Sequence, residues 1–309
     1  MSDASPMRLV DAHHHLWDLT SRPQPWLDDP VHEPIRRTFG PDDLRTAATR
    51  TIAGRRLEST VVVQSVASVP ETRELLALAA GDPLLGAVVG WADLTSPAIG
   101  DLVDELREGP GGNRLRALRH LVQGESAPLW LQRPEVERGL RAVRDRGLGY
   151  DILIGSHQFS QAIRLAARIP DLPLVLDHAG KPPIARRDLA DWERQVRRLA
   201  GHPHVMCKVS GLVTEADHES WTIRDIRPVW EILLSSFGPG RLMFGSDWPV
   251  CVLAGGWNRW AATVDELLRG CSESETRAIL ADTATDFYRL ESAKKTTEHT
   301  NDTRKAPCS

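Results

Sequence analysis

Eight short apolar, β-branched runs alternate with longer stretches of helical period, and this alternation constrains the chain more than any other feature. The strand-like runs are Leu9–His13, Thr60–Gln64, Gly86–Trp91, Leu115–Leu121, Tyr150–Ile154, Pro173–His178, Val205–Ser210 and Arg241–Gly245. Between them lie Pro70–Ala80, Ile99–Glu108, Pro134–Arg146, Ser160–Arg168, Asp188–Ala200, Ile226–Phe237 and Trp257–Leu268. There apolar residues recur at three- and four-residue spacing, with Arg and Glu on the opposite face. Such alternation argues for parallel strands joined by right-handed crossovers. Eight strands without a break in composition predict one (β/α)8 TIM barrel over residues 8–290. Residues 1–7 are expected to be a flexible N-terminus. The Lys-, Thr- and Glu-rich stretch 291–309 is expected to be a disordered tail. An open doubly wound sheet would carry a Gly-rich phosphate loop after its first strand. Here that strand ends in histidines and leads into Trp17–Arg37, a Pro- and Trp-rich segment that suits a lid or specificity loop.

In a barrel of this kind the useful side chains are the last polar ones of each strand. Strand one closes on Asp11-Ala12-His13-His14-His15 and strand eight on Phe244-Gly245-Ser246-Asp247-Trp248. Alternation along a strand sends His13 and His15 to one side and His14 to the other. His178 ends strand six. His13, His15, His178 and Asp247 therefore make a set able to hold one Zn²⁺ or another divalent metal, leaving room for water or substrate. Without metal, the same imidazoles can hydrogen-bond a carbonyl oxygen as an oxyanion hole. In both cases Asp247 is the expected general base for an attacking water. Arg119 and Lys208, cationic and near strand ends, are candidates for binding substrate. Gln64, His120 and His157 are candidates for holding polar groups of the substrate. Trp17, Trp91 and Trp248 are candidates for an apolar wall.

Several function classes lose support. A net charge of -4 gives no nucleic-acid or anionic-membrane signal, and no apolar run approaches the roughly 20 residues that span a bilayer. Cys207, Cys251, Cys271 and Cys308 match neither a zinc knuckle nor a disulfide framework and read as reduced thiols. With no secretory signal at the N-terminus, a cytoplasmic protein is expected. No Gly-x-Ser-x-Gly elbow supports a serine nucleophile. A two-metal hydrolase is disfavoured, because strand five offers no Lys and strand seven no His at its end.

The ordered motifs resemble those of the amidohydrolase superfamily, in the branch of L-fuconolactonase-like sugar lactonases and 2-pyrone-4,6-dicarboxylate lactonases. The resemblance rests on Asp-Ala-His-His-His-Leu-Trp-Asp at 11–18, Val-Val-Gln at 62–64, Gly-Trp-Ala-Asp-Leu at 90–94 and Arg-His-Leu-Val-Gln at 119–123. Leu-Asp-His-Ala-Gly-Lys-Pro-Pro at 176–183, Cys-Lys-Val-Ser-Gly-Leu at 207–212 and Phe-Gly-Ser-Asp-Trp-Pro-Val-Cys at 244–251 complete it. It implies a barrel that opens a lactone to its hydroxy acid, with residues matching His13, His15 and His178 around the carbonyl or a metal and Asp247 as base. Metal dependence varies across this branch. Lys208 stands where the pyrone dicarboxylate enzymes use an arginine, which favours a neutral sugar lactone such as L-fucono- or L-rhamnonolactone. The expected partners are a small-molecule lactone and, optionally, further copies of the chain. A metal-dependent decarboxylase of the same superfamily and a non-catalytic ligand-binding barrel are the competing readings.

Overall fold

In the computed structural model, residues 7–127 and 129–291 are described. The expected tail lies, apart from Glu291, outside the described residues, as does all but Met7 of the expected flexible N-terminus. Eight parallel strands form one sheet in sequential order: β1 Arg8–His14, β2 Arg56–Val63, β3 Leu85–Gly90, β4 Leu115–Leu121, β5 Gly149–Leu153, β6 Leu174–Leu176, β7 Val205–Val209 and β8 Leu242–Phe244. The ring closes between its first and last strands, where Asp247 N donates to His13 O at 2.8 Å and His15 N donates to Trp248 O at 2.7 Å. The bonds that close the barrel thus lie inside the two motifs that carry the candidate chemistry.

Helices α1 Pro41–Ala47, α2 Val69–Gly81, α3 Ile99–Glu108, α4 Pro134–Asp145, α5 Phe159–Arg168, α6 Ala190–Ala200, α7 Ile223–Phe237 and α8 Gly256–Leu267 fill the crossovers. Their apolar stripes pack on outward strand residues such as Val62, Val88, Ile152 and Leu176, which are fully buried. α9 Glu273–Arg277 and α10 Thr283–Tyr288 follow α8. The inward face is a second apolar cluster of Val10, Ala12, Val61, Val63, Ala87, Val89, Ala117, Val175 and Met243, with Ala284 and Tyr288 of α10 packed into it. No described helix is long and apolar enough to cross a membrane.

Strict alternation fails at one place in β1. Ala12 belongs to the inward apolar cluster, yet the next residue, His13, also meets interior groups, because the β1–β2 register shifts between Asp11 and His14. Beyond that shift the expected alternation holds: His13 and His15 face the interior, while His14 turns outward and pairs its Nε2 with Thr60 Oγ1 at 2.9 Å. The segment 17–37 contains two short 3-10 turns, Pro25–Asp28 and Pro30–Ile35, pinned by buried Leu27 and Ile35. Trp17 Nε1 donates to Arg37 O at 2.7 Å across the base of the segment.

Candidate active site

Asp11 explains why the two terminal motifs belong together. Its buried carboxylate accepts from His13 N at 3.1 Å and from Ser246 N at 2.8 Å, tying β1 to the turn that carries Asp247. Burial pushes the Asp11 carboxyl up to about 7, although the Ser246 contacts act to lower it. Asp247 itself has φ of 55°, a left-handed conformation that is unfavourable for a residue with a Cβ and recurs at functional sites.

Asp247 Oδ1 lies 3.5 Å from His15 Nε2, 3.8 Å from His13 Nε2 and 3.9 Å from His178 Nε2. Three imidazoles from two sides of the barrel therefore face one carboxylate oxygen. Each ring is held through its other nitrogen. His15 Nδ1 donates to Val63 O at 2.8 Å, and His178 Nδ1 pairs with Ser210 Oγ at 3.0 Å. His13 Nδ1 sits 3.3 Å from Asp177 Oδ1 and 3.1 Å from Lys208 Nζ. Burial drives the His13 imidazole well below its ordinary pKa and His178 down to about 4, so both are neutral near pH 7. Burial works to raise the Asp247 carboxyl, but His178 and His15 outweigh it and hold the group below its ordinary value. An ionised carboxylate beside the neutral imidazoles of His13 and His178 can accept a proton from water.

Beneath this ring lies a layer of buried charge. Lys208 Nζ is 2.6 Å from Asp151 Oδ2 and 3.0 Å from Asp177 Oδ1, and Arg119 Nη1 donates to Asp177 Oδ2 at 3.0 Å. Two cations thus balance two carboxylates. Burial tends to raise the Asp177 carboxyl, but Lys208, His13 and Arg119 hold it well below the usual carboxylate range.

A cavity of about 310 Å³ opens above Asp247. Of the expected catalytic set, His15, His178 and Asp247 line it, with His13 directly beneath. Of the expected substrate-binding set, Arg119 lines it. The other expected residues lie outside the cavity wall. Lys208 has no exposure and is consumed by its two carboxylates. Gln64 is equally buried and donates through Nε2 to Arg119 O at 3.2 Å. His120 is stacked on Trp130 with centroids 3.9 Å apart, bonded to Glu125 at 2.7 Å, and accepts from Trp91 Nε1 at 3.0 Å. His157 is exposed outside the cavity wall. Trp248 is buried edge-on against Phe39, and Trp17 walls a separate cavity of about 510 Å³ between the first loop and α2. These side chains meet one another because their loops pack as units, which strand-end position alone does not reveal.

The cavity is lined instead by Trp26 and His32 of the long first loop, by Ser65, Gln123 and Thr214, and by Lys181 and Glu215. Lys181 lies in the motif at 176–183, Gln123 in that at 119–123, and Trp26 and His32 in the expected specificity loop, whereas Thr214 and Glu215 carry no signal in the sequence.

For a divalent cation, His13, His15 and Asp247 offer ligand atoms within 4.8 Å of one another, and His13, Asp177 and His178 form a second such trio. Neutral nitrogen donors plus one carboxylate suit zinc-like coordination. Arg119 Nη1 lies 3.3 Å from His13 Nε2, so a guanidinium is already directed at one lone pair a cation would use.

The family model described as amidohydrolase matches residues 10–290. An L-fucono-1,5-lactonase from Burkholderia multivorans is 36% identical over 292 residues, 91% of this chain and 96% of that protein. A crystal structure of a B. multivorans amidohydrolase with bound zinc superposes with a TM-score of 0.85 at 35% identity, covering 92% of this chain and all of that one. A Pseudomonas putida protein named for 2-pyrone-4,6-dicarboxylic acid hydrolysis shares the fold with a TM-score of 0.67 at 21% identity, over 93% of this chain and 99% of that one.

Proposed function

The chain belongs to the amidohydrolase family, and on that premise we propose that it hydrolyses a sugar 1,5-lactone to the corresponding hydroxy acid. The observation that carries this reading is the buried, ionised carboxylate of Asp247 facing three imidazole nitrogens in the cavity. The cavity volume of about 310 Å³ suits one monosaccharide lactone. The likeness to the Burkholderia L-fucono-1,5-lactonase supports the substrate class.

Asp247 takes a proton from a water held against the lactone carbonyl. The resulting hydroxide adds to the carbonyl carbon, and the oxyanion that forms is met by Arg119 and by His178, whose Nε2 carries the proton when its Nδ1 accepts from Ser210 Oγ. When the tetrahedral centre collapses, the ring C–O bond breaks, and Asp247 returns its proton to the departing alkoxide. A bound divalent metal, with zinc the proposed ion, would polarise the carbonyl and acidify the water; His13, His15 and Asp247 would hold it.

A dicarboxylate fits less well than a neutral polyol. Arg119 is paired with Asp177 at 3.0 Å and Lys181 with Glu215 at 3.1 Å. These are the lysine and arginine of the cavity wall, and neither offers an uncompensated charge.

Proton release with a panel of sugar lactones, before and after chelation and alongside Asp247→Asn, tests the reading. Rapid hydrolysis is expected from the native protein, with a loss of roughly 10²–10⁴-fold in the folded variant. Loss on chelation and recovery with Zn²⁺ assigns the carbonyl to the metal. Activity that survives chelation assigns it to His178 and Arg119. An Asp247→Asn variant as fast as the native protein, or a native protein inert toward the whole panel, would refute the assignment.

A further inference from the structure

The cavity floor accounts for the reaction, and its rim must account for what holds the rest of the ring. At the end of β6 the backbone makes a left-handed turn in which His178, Ala179, Gly180 and Lys181 have φ of 51°, 52°, 68° and 56°. Three of these residues carry a Cβ, which this region disfavours. The turn is wedged in place from below, since a Cβ on Gly180 would stand 2.4 Å from the Phe159 ring. This geometry sets His178 against Asp247 and, three residues on, puts Lys181 in the cavity wall. From the β7 side Glu215 ends the short 3-10 turn Val213–Glu215, and its Oε1 accepts from Lys181 Nζ at 3.1 Å. The two side chains keep 29% and 24% exposure. A partly open ion pair adds little to the stability of a fold. Folding stability therefore does not explain a strained turn that ends in one.

We propose that the Lys181–Glu215 pair is the specificity-determining element that reads two neighbouring hydroxyls of the substrate, an inference that rests on the lactone reading above. A hydroxyl both donates and accepts, an ammonium only donates, and a carboxylate only accepts. Joined side by side, Lys181 and Glu215 offer a vicinal diol both halves it needs: one hydroxyl accepts from Nζ and its neighbour donates to the carboxylate. The pair carries no net charge, so a neutral polyol inserts without leaving an uncompensated ion. A lactone lacking these hydroxyls leaves the pair with nothing to recognise.

Lys181→Met and Glu215→Gln, assayed with L-fucono-1,5-lactone and with unsubstituted δ-valerolactone, test the assignment. In each variant the ratio of kcat/KM for the sugar lactone over the plain one is expected to fall roughly 10- to 100-fold, mainly through KM. An unchanged ratio, or equal losses on both lactones, overturns the role of the pair while native turnover of the sugar lactone keeps the lactonase reading intact. A native protein that opens neither lactone overturns both readings together. Glu215→Gln is nearly isosteric and keeps the test decisive should Lys181→Met fold poorly.

Discussion

Lys208 shows how far a residue's type can mislead about its job. At the end of an apolar strand a lysine suggests a cation offered to substrate. Here its ammonium is fully buried, 2.6 Å from Asp151 and 3.0 Å from Asp177. Removing one partner of a buried ionic cluster leaves the others uncompensated and costs about 3–5 kcal/mol. Lys208→Met is therefore expected to lower unfolding stability by about that amount in denaturant titration. A variant that unfolds like the native protein but shows a raised KM would return Lys208 to the substrate. The sequence held a clue that strand-end reasoning overlooked. Asp151 and Lys208 each interrupt an apolar β-branched run, and opposite charges inside two such runs mark a pair buried against each other. Arg119, by contrast, does line the cavity, where Asp177 and the Gln64 backbone carbonyl hold its guanidinium in place.

Among the elements, the strands were legible nearly residue by residue. The expected Leu115–Leu121 coincides with β4, and the other seven differ from their observed bounds by a few residues at the ends. Period-two burial in strands and 3.6-residue stripes in helices are written directly into the order of apolar residues. The loops were not legible in the same way. His120, Trp91, Trp130 and Glu125 satisfy one another across two loops, and long-range packing of that sort leaves no period in the sequence. The register shift in β1 was equally hidden, and it has a thermodynamic consequence. It turns His14 outward into a fully buried site, where burial lowers its pKa from 6.5 to about 3. The unfolded chain then binds a proton between these values that the folded chain refuses. Stability from this group is complete above pH 6.5 and declines as pH falls toward about 3. The expected slope is about 1.4 kcal/mol per pH unit for each such imidazole. Buried His13 and His178 act in the same direction. The raised Asp11 carboxyl acts in the opposite direction but is outnumbered, so denaturant midpoints should fall as pH drops from 6.5 toward about 4. His14→Gln should flatten the slope by one proton, and an unaltered slope would contradict the buried, uncharged state of His14.

For the molecule as a whole, the barrel is built in layers along its axis, and the end far from the cavity reaches the chemistry through them. Apolar Val10, Ala12, Val61, Val63 and Val89 fill the lower interior, and α10 packs into them. Its last residue, Tyr288, has no exposure. Its hydroxyl donates to Asp151 Oδ2 at 2.9 Å, and its ring lies with the centroid 5.4 Å from Lys208 Nζ. A continuous line therefore runs from the closing helix through Asp151 and Lys208 to Asp177 and His13, and on to Asp247. The ring and the hydroxyl of Tyr288 do different things in that line. The hydroxyl satisfies a carboxylate oxygen that water cannot reach, and the ring fills the bottom of the barrel beneath an ammonium. Tyr288→Phe keeps the ring and removes the hydrogen bond, so it should destabilise the fold by about 1–3 kcal/mol. Its kcat/KM should stay close to native, because Lys208 still holds Asp177 and His13 in place. Tyr288→Ala opens a cavity as well and should cost about 3–5 kcal/mol, as large-to-small changes of buried aromatics do. Comparing the two in denaturant titration and in lactone turnover separates support from chemistry. If Tyr288→Phe lost activity without losing stability, the closing helix would be tuning the reactive layer rather than merely sealing the barrel beneath it.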